Sequence, residues 1–203
     1  MGLTVPCTPG SLCGLQTLAL VMSLKISFEL SDRDLHYFRE ALQHSRDAVR
    51  HAEDGEILEA IRDVLEEIRG TDPLPDFVSR RIPEIESFMQ MLSDAEWQLP
   101  DADRERLLAM FIYFADPEDI LPDDIPVIGY LDDVIVIELI MQDMFHVREA
   151  YEDFCEFRRN FDGEHGAALD GAVRRDRIDR RRQQLHQRMQ RRSAGRKSAK
   201  LWK

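Results

Sequence analysis

Four aspartates, Asp119, Asp123, Asp132 and Asp133, lie within one fifteen-residue stretch. Carboxylates are hard oxygen ligands of the kind that Mg²⁺, Mn²⁺ and Ca²⁺ take. If the loop folds back on itself the four converge, and an ion held there would serve structure or phosphoryl chemistry. A divalent metal is therefore the cofactor to look for, and a metal-dependent enzyme the activity it would support. The spacing argues the other way. It matches no calcium loop and no Asp-Asp-x-x-Asp helix motif. Each of these aspartates borders a proline or a helix end, where carboxylates serve as caps and Asx turns. We read the cluster as the support of a tight hairpin and expect no cofactor.

Three further groups have chemistry to offer. His36, Glu40, His44, Asp47 and His51 fall within about 80° of helix circumference, an arrangement suited to a transition metal. Leu35, Phe38, Leu42 and Val49 occupy the opposite side, so the histidine face reads as solvated. Glu138 stands among apolar neighbours, where burial would raise its pKa, but it also shares a face with Gln142 and Glu149. Cys155 has no activating partner in the sequence. No Walker loop, GxGxxG, HExxH or GxSxG motif is present.

The last chemistry is electrostatic. Arg174, Arg175, Arg177, Arg180, Arg181, Arg182, Arg188, Arg191 and Arg192 crowd the C-terminal end. Such an arm binds phosphate through charge and counterion release, and it binds anionic lipid. Trp202 is its one aromatic residue, which argues against base stacking. Its apolar residues (Leu169, Val173, Ile178, Leu185, Met189) are sparse for a membrane face. Folding back onto an acidic body is the competing expectation, and the sequence supports both equally.

The elements that position these groups follow from periodicity. Residues 23–30 alternate apolar and polar and predict one short strand. A helix begins near Ser31, where Ser31 and Asp34 resemble a capping box. A second runs over residues 56–69, with Gly70 as its stop. A third covers 76–94, kinked or split at Pro83. A fourth opens at Pro100-Asp101, and its late part, residues 107–115, is apolar on nearly every side. The Asp- and Pro-rich loop 116–130 follows. One long helix is expected over 131–160, ended by Asp162-Gly163, and a last polar helix over 167–192. The fold class is all-α: a helical bundle with a Pro/Asp-rich hairpin, one short N-terminal strand and a basic C-terminal helical tail.

The net charge of −12 conceals a division. Residues 23–166 carry 14 basic and 36 acidic side chains, a net −22, whereas residues 167–203 carry 13 and 3, a net +10. The expected organisation is an acidic helical domain (23–166) and a basic tail (167–203), preceded by a leader (1–22). The leader has no basic residue, so it lacks the charged start of a secretory signal. It reads as disordered or non-native, with Met22 as the native start. Three cysteines without metal spacing exclude a disulfide scaffold and a zinc site. No apolar run is long enough to span a bilayer, though residues 107–115 and 134–141 are apolar enough to insert shallowly.

One stretch is distinctive: Tyr113, Pro117, Asp119, Pro122, Asp123, Ile125, Pro126, Gly129, Tyr130, Asp132 and Asp133 in order. It resembles the signature of the bacterial YkvA-like family, a domain of unknown function, over about residues 107–144. The resemblance implies a helical hairpin with a Pro/Asp-rich connection and membrane association in some relatives. It implies no reaction, ligand or catalytic residue. We expect a non-enzymatic interaction or scaffold protein, cytoplasmic or peripheral at a membrane, with a protein partner or a second copy. The alternatives are the metal-dependent enzyme on the aspartate loop and a nucleic-acid or ribosome binder using the tail.

Overall fold

The computed structural model describes residue 27 and residues 29–70, 74–116, 129–165 and 170–195. The chain divides into two units, Met1–Leu30 and Ser31–Lys203. The helices described below all belong to the second unit.

Among the described residues there is no strand. Of residues 23–30, only Ser27, Glu29 and Leu30 are described, and none is in a ladder. The expected N-terminal strand is thus corrected. A strand needs a partner for its backbone groups, and the described chain offers only helices and turns. The leader 1–22 lies outside the described residues.

Helix α1 (Asp34–Val49) opens as its sequence predicts. The Ser31 backbone N–H and hydroxyl both donate to Asp34 Oδ2 at 2.7 Å, and Asp34 N–H returns a bond to Ser31 Oγ at 3.4 Å. These bonds hold the Asp34 carboxyl below the usual range. Helix α2 (Asp54–Gly70) buries Ile57, Leu58, Ile61, Leu65 and Ile68 along one stripe. The predicted third helix is split, into α3 (Asp76–Ser79) and α4 (Ile82–Ser93). Pro83 lies in the first turn of α4, where its missing N–H costs nothing.

Helix α5 (Asp101–Phe114) is the centre of the bundle, packed by α1, α2, α4 and the following helix. That position explains the apolar circumference of its late part, since a helix segment surrounded by helices has no solvent face. Leu107, Ala109 and Phe111 are completely buried. Shallow insertion of residues 107–115 into a membrane is therefore excluded by the core they fill.

The long helix expected over 131–160 is two. Helix α6 (Leu131–Asp143) ends at Met144, and α7 (Phe145–His165) follows at once. Met144 has φ −94° and ψ 9° and is completely buried, so the break turns it and Val147 into the core. Asp162-Gly163 does not end α7. Glycine costs only about 1 kcal/mol in a helix interior, and Asp162 is held by an arginine of the next helix. That helix is α8 (Gly171–Gly195), which packs along α7.

Candidate functional site

The polar side of α6 faces inward. Asp132, Asp133 and Asp143 are buried, together with Val136, Ile137 and Ile140. Tyr113, near the end of α5, donates its hydroxyl to Asp132 Oδ2 at 3.2 Å. Gly129 is buried, and Tyr130 caps α6 through its backbone carbonyl, which accepts from Val134 N–H. A second polar group closes the other end of α6. Arg106 of α5 reaches Asp103 at 3.3 Å and Asp143 at 3.6 Å, next to buried His146. Burial raises the pKa of Asp103, the Arg106 and His146 charges oppose this, and Asp143 adds to it. Two of the buried carboxylates of α6, Asp132 and Asp143, thus have partners on α5. Unpaired, such groups would cost several kcal/mol each, about 1–3 by mutational measure.

Asp132 and Asp133 of the four predicted metal ligands are buried in this seam. Asp119 and Asp123 lie outside the described residues, as do Pro117, Pro122 and Pro126 of the motif. Among the described residues, no group of three or more His, Cys, Asp or Glu side chains is arranged to hold a metal ion. His36, Glu40, His44, Asp47 and His51 are all exposed, in keeping with a solvated face. Glu138 is half-exposed and ion-paired: Arg81 donates to it at 2.6 Å and Gln142 at 3.0 Å.

The nine arginines named above all lie on α8, and they divide. Arg174 reaches Asp162 at 2.7 Å and Glu96 at 2.5 Å. Arg182 donates to the Glu96 carbonyl at 3.0 Å and pairs with Asp179. Arg188 pairs with Asp153 at 2.6 Å, and Arg192 pairs with Glu149. The Arg181 guanidinium lies 5.6 Å from the Phe157 ring centre. Arg180 pairs within its own helix, with Asp176. Arg175, Arg177 and Arg191 are exposed and make no ion pair among the described residues. Beneath the inner arginines, Ile178, Leu185 and Met189 are buried. These are the sparse apolar residues of the tail: too few for a membrane face, enough for a seam against α7.

Sequence reasoning missed the turn that receives α8. Asp94, after α4, accepts the Glu96 and Trp97 backbone N–H groups at 3.0 and 3.2 Å, an Asx turn. Gln98 follows with φ 51°, in the left-handed region that side chains avoid. The turn drives Trp97 completely into the interior, with ring centres at 5.1 Å from Phe154, 5.5 Å from Tyr151 and 4.6 Å from His186 of α8. Arg158 of α7 clamps the same turn, at 2.8 Å from Asp94 and 3.0 Å from Glu96. Burial alone would raise the Asp94 pKa, but the Arg158 bonds and charge outweigh it and leave the carboxyl lowered. Arg174 and then Arg158 hold Glu96 low, and Arg174 does the same for Asp162. Burial depresses His186, with the Arg182 charge adding to it. An Asp two and three residues before Glu96 and Trp97 was the available signal. Cys155 also has a neighbour that the sequence does not disclose: Arg158 Nη2 lies 3.9 Å from its sulfur.

Fold and seam together define an all-α domain with a carboxylate-seamed helical hairpin at its centre. Residues 106–139, which span that hairpin, match a family described as "Protein of unknown function (DUF1232)". No curated protein matches the chain, and no solved structure does. Among the described residues no helix is long and apolar enough to cross a membrane.

Proposed function

We propose that the protein is a non-enzymatic interaction or scaffold protein with a YkvA-like domain, held peripherally at an anionic membrane surface by the outer side of α8. The observation that supports this reading is the division of the arginines. Arg174, Arg188 and Arg192, which face α7 and the Asp94 turn, are paired with carboxylates of the same chain. Arg177 and Arg191 project from the opposite side with Val173, which is 47% exposed. At helical spacing Val173, Arg177, Arg180, Gln184, Gln187 and Arg191 form one stripe. A stripe of arginines with an apolar end suits lipid headgroups, at about 1 kcal/mol per basic residue near the surface. The acidic body does not forbid this, because charges farther than about 8 Å are screened at physiological salt.

Sedimentation of the full chain with phosphatidylglycerol vesicles tests the reading. Binding is expected at low salt, reversed by a salt wash and absent with neutral vesicles. Arg177→Glu together with Arg191→Glu should abolish it while leaving the fold intact. Unchanged vesicle binding by that variant overturns the reading. So does a preference for nucleic acid over vesicles, which would assign the arm to the other class of polyanion.

A further inference from the structure

The contact that holds α8 is thin for its length. Over residues 171–193 the helix buries only Ile178, Leu185 and Met189, whereas the shorter α2 buries five of its 17 residues. The ion pairs beside that seam do not make up the difference. Arg174, Arg188 and Arg192 and their carboxylates are all partly open to water, where such pairs add little. Polar groups in the seam are also left short. Trp97 Nε1, Arg181 Nε, His186 Nε2 and Arg188 Nε are buried and have no hydrogen-bond partner among the described residues. All four stand where α8 meets α7 and the Asp94 turn: the Trp97 and His186 rings meet edge-on, Arg181 lies over Phe157, and Arg188 reaches Asp153. A buried polar atom without a partner favours whatever state returns it to water. Few buried apolar contacts and solvent-open bonds mark the part of a fold that opens first.

We propose that α8 is a latch, which lifts off α7 on an anionic membrane and transfers Arg174, Arg188 and Arg192 from their carboxylates to lipid phosphates. The inference rests on the peripheral reading above and adds its regulation. Arg177 and Arg191 make the first contact, since the inner arginines are not yet free. Guanidinium forks bind phosphate as they bind carboxylate, so each inner pair exchanges one anion for another. Opening gives up a seam of three apolar side chains, and Trp97 keeps Tyr151 and Phe154 of α7 when His186 leaves it. In return the four buried nitrogens regain water, and arginines from both sides of the helix reach the lipid. Ile178, Leu185 and Met189 are too sparse to insert by themselves, so charge carries the open state. Glu96, Glu149, Asp153 and Asp162 thereby hold the inner arginines back from any surface whose negative charge is too sparse to compete with them.

The test is the separation of α7 and α8 in the full chain, measured between two nitroxide labels. The labels sit at Glu156→Cys and Gln183→Cys, both exposed, in a chain that also carries Cys7→Ser, Cys13→Ser and Cys155→Ser. With phosphatidylglycerol vesicles the distance should grow by more than the spacing of packed helices, about 8–10 Å, and a salt wash should restore it. A second measurement does not depend on the labels. Glu149→Gln with Asp153→Asn loosens the latch and should bind vesicles at least about fivefold more tightly, the gain expected from one further basic residue at the surface. Glu59→Gln with Asp63→Asn, both exposed on α2, makes the same change of charge away from α8 and should leave binding unchanged. Vesicle binding with an unchanged label distance overturns the latch and leaves the peripheral reading standing. Equal tightening by the two double variants does the same. A chain that binds no vesicles overturns both.

Discussion

Helices α6 and α8 distribute polarity in opposite ways. α6 buries three aspartates and leaves several aliphatic residues only partly buried, whereas α8 buries three apolar residues and presents arginine on nearly every side. Both arrangements obey the same requirement, that a polar group leaving water must find a partner. On α6 the partners of Asp132 and Asp143 are Tyr113 and Arg106, supplied by α5. On α8 the guanidinium groups reach past the buried stripe to carboxylates on α7 and the Asp94 turn, with their aliphatic stems lying along the apolar seam. The contrast shows that composition does not give a helix its inward face. The neighbours do, by offering or withholding partners.

The largest effect should come from the residue that α8 rests on. Trp97→Ala removes a completely buried side chain shared by α7 and α8, and should cost about 3–5 kcal/mol. Hydrogen exchange should then show α8 losing protection ahead of α5. If α8 stays protected, ion pairs rather than packing hold it, and the contrast with α6 narrows. On the α6 side, Tyr113→Phe leaves Asp132 without that donor and should cost about 1–3 kcal/mol. A chemical denaturation curve measures this, and a cost near zero would mean that the inward carboxylates are sustained by other partners.

Acid should loosen the α8 contact in two steps. His186 is depressed in the fold, so the unfolded chain takes up its proton first. Its cost to stability appears as pH falls below about 6.5, the ordinary value. Asp94, Glu96 and Asp162 are also depressed, so what they contribute is fully present above 3.8, 4.5 and 3.8 respectively. That contribution is lost as pH falls through their lower folded values. Asp103, raised by burial, works against the trend: its contribution is lost as pH rises. Melting temperature against pH should therefore fall in both ranges, with the upper step flattened by His186→Gln. The fluorescence of Trp97, read in a Trp202→Phe background, follows the same change at the α8 contact. The smallest effects separate the two sides of α8. Arg174→Gln should cost about 1 kcal/mol or less, because its pairs are partly open to water. Arg177→Gln should leave stability within about 0.5 kcal/mol. An equal cost at the two positions would remove the distinction between inner and outer arginines.

Much of the bundle was determined by sequence alone. The Ser31–Asp34 cap, the break before Pro83, the start of α5 after Pro100 and the stripe of α2 depend on residues a few positions apart, so local chemistry suffices to read them. The arginine arm and the hairpin motif were equally visible. What tertiary structure decided was direction. Whether Glu138 begins a solvated stripe or pairs with Arg81, 57 residues earlier, is invisible to a helical wheel. The division of one helix into α6 and α7 follows from the burial of Met144, which no propensity at that position announces. The paired face of α8 was set by Glu96, Asp153 and Asp162 on other elements. The sequence therefore placed the charges along the chain, and only folding placed each against its counter-charge, because an ion pair is a relation between distant segments and periodicity reports one segment at a time.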